Sequence, residues 1–125
     1  RRGTQRRLAL LRIGVLGFMP PQTTEWEPEL RPHLRIADIV ESARTAAAAL
    51  RRQGADLVIA LSHSGIGPPE PSPLMENAAT ALAAVEGVDA IIAGHTHRLF
   101  PSAGHPGGRG VDALSAWVIR WIFIR

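Results

Sequence analysis

An α/β fold built on parallel strands is what this sequence predicts, and three observations carry the prediction. Apolar runs alternate with helix-patterned stretches in the order βαβαβ, which implies parallel strands with helices packed over the sheet. Two of those runs are "DLVIALSHSG" and "DAIIAGHTH", the first of the continuous apolar kind expected of a strand buried on both faces in a parallel sheet. Each follows a helical pattern that stops at a glycine, Gly54 or Gly87, where a C-terminal cap belongs.

The elements justify themselves in chain order. Residues 1–10 form a basic segment, with Arg crowded into "RRGTQRRLALLR". "LRIGVLGF" (11–18) is a β-type run that must stop at Met19-Pro20-Pro21, because proline donates nothing to a ladder and restricts the residue before it. "PPQTTEWEPELRPH" reads as loop. "IADIVESARTAAAALRRQG" reads as a helix, with Ile36, Ile39, Val40, Ala43, Ala47 and Leu50 recurring every three or four residues and Arg51 and Arg52 at the negative end of its dipole. After the second strand and the loop "GPPEPSP", Ser72 and Pro73 fit the N-cap and first position of a second helix, "LMENAATALAAVEG". The third strand follows. "PSAGHPGGRG" is a Gly-rich loop, and residues 109–125 stand apart: Trp117, Trp121 and Phe123 fit an edge strand and fit a junction segment equally well.

Composition sets bounds on function. The chain has 125 residues, 46% hydrophobic and 20% charged, enough for one domain with a real core. It has no cysteine, which excludes thiolate zinc sites and redox motifs. All fourteen of its basic residues are arginine, but the excess sits at the N-terminus without interleaved aromatics or a recognition helix. A nucleic-acid partner is therefore not expected. No stretch approaches the ~20 apolar residues of a membrane span, and no signal peptide is recognisable.

The second and third strands carry the same pattern. "GADLVIALSHSG" sets Asp56 before the apolar run and His63 after it, and "GVDAIIAGHTH" sets Asp89 before and His95 and His97 after. Parallel strands bring their C-terminal ends to one edge, so the three histidines should converge where α/β sheets bind ligands. Neutral imidazole is the commonest metal ligand, and a metal site is the reading preferred over hydrogen-bonded loop histidines. Asp56 and Asp89 fall at the opposite edge as structural groups, and His33 and His105 fall in surface loops. Ser62 and Ser64 flank His63 as turn formers with hydroxyls suited to phosphate. Glu76 and Asn77 read as the polar first turn of the second helix. Asn77 and Arg98 are secondary candidates for substrate binding, Arg98 as a bidentate phosphate donor. Pro20, Pro21 and Trp26 follow the first strand on the same edge, with Trp26 expected to pack there.

At these residues the sequence resembles a known family. "GADLVIALSHSGI" and "GVDAIIAGHTHRLFP" are similar to the third and fourth metal motifs of the calcineurin-like metallophosphoesterases. Together with "RIGVLGFMPPQTTEW", "ADIVESAR" and "MENAA" they resemble the branch of the 5′-nucleotidase family that is bifunctional as 2′,3′-cyclic-nucleotide 2′-phosphodiesterase and 3′-nucleotidase. The resemblance covers residues 11–108 and implies a βαβαβ part of a layered α/β sandwich, incomplete here. It further implies a two-metal site of the Mn, Fe, Co or Zn type, with His63 and His95 on one ion and His97 on the other. Such a pair of ions activates water and clamps phosphoryl oxygens. A nucleotide substrate and a periplasmic or cell-surface location follow from the same resemblance.

The family's Asp-x-His, Gly-Asp and Gly-Asn-His motifs do not occur in this sequence, nor does its nucleobase-stacking C-terminal domain. No strand end offers an Asp or Glu in their place. The chain is thus expected to be the second half of a catalytic domain, inactive alone, with no catalytic residue of its own and with the first half and a specificity domain as its missing partners. The alternative is a non-catalytic α/β module that binds metal or a partner.

Overall fold

The computed structural model describes residues 10–97 and 121–124. Its elements are strand β1 (Ile13–Phe18), the one-turn helix α1 (Thr23–Trp26), a 3-10 turn (Pro28–Leu30), helix α2 (Ile39–Arg52), β2 (Leu57–Ser62), a second one-turn helix α3 (Ala79–Leu82), β3 (Ala90–Ala93) and β4 (Trp121–Ile124). The sheet order is β1-β2-β3-β4. The first three strands are parallel, as the alternating pattern predicts, and β4 joins antiparallel on the outer side of β3. Trp121 and Phe123 thus fall on an edge strand, whereas Trp117 lies outside the described residues.

Helix α2 forms where its apolar spacing predicts but starts later than Ile36. Asp38 is the N-cap, its Oδ1 accepting from the Glu41 amide at 2.9 Å. Burial of Ile39, Val40, Ala43 and Ala47 sets this helix against the sheet. Gly14 lets it come close, since a Cβ there would stand 2.7 Å from Leu50 Cδ1. At the C-terminal end, Arg51 does more than oppose the dipole. Its Nε donates to the Gly87 carbonyl at 3.1 Å, its Nη1 to those of Ala55 and Asp56 at 3.1 and 2.7 Å, and its Nη2 to the Asp89 carboxylate. Asp89 also accepts from the Val58 amide at 2.7 Å, and Asp56 from the Arg12 amide at 2.8 Å. Both aspartates therefore organise backbone at the edge opposite the histidines.

Two expectations are corrected. The second helix does not begin at Ser72-Pro73: only Ala79–Leu82 is helical, and Leu74 has a φ of 54° that no right-handed helix contains. Cap-like residues lose here to tertiary bonds, because the Leu74 amide donates to Asp38 at 2.7 Å and its carbonyl accepts from Gln22 at 2.9 Å. Nor is β2 buried on both faces. Val58, Ala60, Ile91 and Ala93 are buried beneath the helices, while Ile13, Val15, Leu57 and Leu61 are 51, 56, 37 and 46% exposed. An unbroken apolar run hides this alternation, since both faces are apolar and, among the described residues, helices cover only one.

Candidate active-site edge

Strand register builds the site. Phe18 pairs with Ser62, and Ser62 with Ala93, so the three parallel strands end level. The ladder runs one step further on each side: the His63 amide donates to Phe18 O at 2.9 Å, and the Gly94 amide to Ser62 O at 3.0 Å. His63 and His95 emerge beside one another as a result. Their rings meet edge to face with centroids 5.2 Å apart. His95 has φ 81° and His97 φ 54°, left-handed conformations that non-glycine residues seldom hold outside turns and functional sites.

The loop between β2 and α3 folds back over this edge. Ser64 is fully buried; its hydroxyl donates to the Glu76 carbonyl at 2.6 Å and accepts from the Ala78 amide at 2.7 Å. Asn77 Oδ1 accepts from the Gly65 amide at 3.2 Å. Contact here is close enough to require glycine: a Cβ on Gly67 would lie 1.9 Å from the Asn77 carbonyl oxygen, and one on Gly65 would lie 2.3 Å from Thr96 Cγ2. The fold-back delivers Glu76 to His95, where Oε1 stands 2.8 Å from Nε2. On the other side α1 delivers Trp26, whose ring stacks on His95 at 5.4 Å and 20°. Helix α1 is anchored through Thr23, whose amide and hydroxyl both donate to the Pro20 carbonyl.

His63 and His95 come together; His97 follows two residues on, exposed, at the same end of β3. Ser64 is a buried structural link, and Ser62 Oγ is buried with no hydrogen-bond partner among the described residues. Asn77 Oδ1 is engaged within the loop rather than in a helix. His33 is exposed, and Arg98 and His105 lie outside the described residues. Glu76 is the residue that sequence reasoning assigned wrongly, to a helix turn. A signal was available: the long Pro-rich segment after β2 starts on the histidine edge, so a carboxylate within it has short access to that edge. Trp26 stacks on His95 and remains 49% exposed.

The donor set suits a divalent transition ion in kind, since imidazole and carboxylate are ordinary ligands for such ions. In number it is only partial. Among the described residues no group of three or more His, Cys, Asp or Glu side chains comes together in a way that could hold a metal ion.

Residues 14–99 match the family model described as calcineurin-like phosphoesterase, more than half of the chain. The chain belongs to that family. Among its relatives, the trifunctional nucleotide phosphoesterase protein YfkN of Bacillus subtilis is 43% identical over 99 residues, 78% of this chain and 7% of that protein. The 2′,3′-cyclic-nucleotide 2′-phosphodiesterase/3′-nucleotidase of Yersinia enterocolitica is 40% identical over 103 residues, 82% of this chain and 16% of that protein. The crystal structure of the calcineurin-like phosphoesterase YfkN from Bacillus subtilis superposes with a TM-score of 0.71 at 44% identity, covering 76% of this chain and 29% of that one. The chain therefore spans only a small share of the length of the curated relatives it matches.

Proposed function

We propose that this chain supplies the histidine edge of a phosphoesterase that hydrolyses 2′,3′-cyclic nucleotides and 3′-nucleotides. The observation that carries the reading is the meeting of His63 and His95, from adjacent parallel strands, 5.2 Å apart at the edge where α/β sheets bind ligands. The names of the relatives support the substrate class. In this reading His63, His95 and His97 are ligands of two divalent cations, which when bound supply an activated water and neutralise phosphoryl charge. The chain's own residues orient those imidazoles, and groups outside the described residues complete the donor set. Arg98, next after His97, is the side chain we assign to substrate phosphate. A periplasmic or cell-surface location fits the relatives' activity, and among the described residues no helix is long and apolar enough to cross a membrane.

Transplantation tests this reading. Residues 14–99 of this chain replace the matching segment of the Bacillus subtilis relative, and hydrolysis of 2′,3′-cyclic AMP and 3′-AMP is followed with added Mn²⁺. The chimera is expected to hydrolyse both, and His63→Ala or His97→Ala is expected to remove most of the activity. A folded chimera without activity, or full activity in both variants, overturns the reading. An inactive folded chimera would favour a non-catalytic module that binds metal or a partner.

A further inference from the structure

We propose that Glu76 is a positioning residue for His95, fixing its imidazole as the Nε2–H tautomer and leaving Nδ1 as the donor atom presented to a cation. The proposal rests on the metal-ligand reading of His95 for the cation, and on geometry alone for the tautomer.

Four constraints meet on this one ring. Glu76 Oε1 is 2.8 Å from Nε2, and an ionised carboxylate only accepts, so Nε2 carries the proton in that contact. In a neutral imidazole the other nitrogen then holds a lone pair. Trp26 lies nearly parallel to the ring at 5.4 Å, which limits tilt. The His63 ring abuts it edge to face at 5.2 Å, which limits rotation about the ring axis. The backbone beneath is held at φ 81°, a left-handed conformation that needs support from its surroundings.

Glu76 is itself held. Its carbonyl accepts from the fully buried Ser64 hydroxyl at 2.6 Å, and Ser64 adjoins His63 in sequence. A path of direct contacts therefore runs from the end of β2 through Ser64 and Glu76 to the ring at the end of β3. A carboxylate on the far nitrogen is the arrangement that sets tautomer and raises basicity in metal-binding histidines. The Glu76 side chain is 41% exposed, and among the described residues its carboxylate meets His95.

The test is a long-range ¹H–¹⁵N correlation spectrum of the imidazoles in the metal-free 125-residue chain at about pH 8.5, above the ordinary histidine pKa of about 6.5. His95 is identified by comparison with His95→Asn. The wild-type chain should show His95 as a single Nε2–H tautomer. Glu76→Gln should preserve it, because the amide oxygen still accepts, while Glu76→Ala should give a tautomer mixture with the signal of exposed His33 unmoved. A wild-type His95 protonated on Nδ1, or a tautomer ratio unchanged by Glu76→Ala, overturns the proposal. If Glu76→Ala does not fold, the wild-type and Glu76→Gln spectra decide it between them. Because no metal is present, failure here leaves the phosphoesterase reading standing, and failure of the chimera leaves the tautomer assignment standing.

Discussion

Single side chains carry much of this edge, and Ser64 is the clearest case. Its hydroxyl both donates and accepts while fully buried, joining the end of β2 to the Glu76–Ala78 backbone. Ser64→Ala leaves the buried Ala78 amide without its acceptor, a loss of about 1–3 kcal/mol. Chemical denaturation should register that loss, whereas Ser64→Thr, which keeps the hydroxyl, should lose less if its methyl is accommodated. The residue scale is also where sequence reasoning reached least far. The positions of His63, His95 and His97 just past the strand ends were legible because the apolar runs fix where β2 and β3 stop. Glu76 was not, because its partner is 19 residues away and the contact exists only if the intervening chain refuses helix. Ser72-Pro73 argued for helix locally, while the Gly67–Asn77 contact and the left-handed Leu74 argue against it from a distance.

At the scale of elements, α2 and its end clamp decide how the sheet is held. Its apolar stripe was readable from the sequence, and so was the glycine that ends it. What periodicity could not show is that Arg51 reaches across to the start of β3, bonding Gly87 and Asp89 along with Ala55 and Asp56. Lysine cannot match that planar fork of donors. Arg51→Lys should therefore destabilise the protein by about 1–3 kcal/mol, and Arg51→Ala by at least as much, as measured by thermal or urea unfolding. Equal stability of wild type and both variants would mean that the clamp contributes nothing net. The overall order of strands and helices was legible because alternating patterns and Gly stops agree with one another; α1 was not, since four residues give no period to read, and α3 was read too long.

For the molecule as a whole, the dominant feature is an asymmetric sheet. Helices α2 and α3 bury one face, and the other presents Ile13, Val15, Leu57 and Leu61 in adjacent strands. Contiguous apolar surface of this kind favours association. Light scattering on the isolated chain should show mass rising with concentration, and Val15→Glu with Leu61→Glu should restore a single species. Monodisperse wild-type chain at high concentration would show that this face is not sticky. At the C-terminal ends of the parallel strands lies the histidine edge that we propose as part of an active site. The claim at the centre of that account is that the histidine edge takes up a divalent cation. Zinc titration of the ¹⁵N-labelled chain, watched at the imidazole nitrogens, tests it most directly. Saturable shifts at His63 and His95, with His97 following and His33 silent, are the predicted result; shifts confined to His33, or none at any of the three edge histidines, would contradict it.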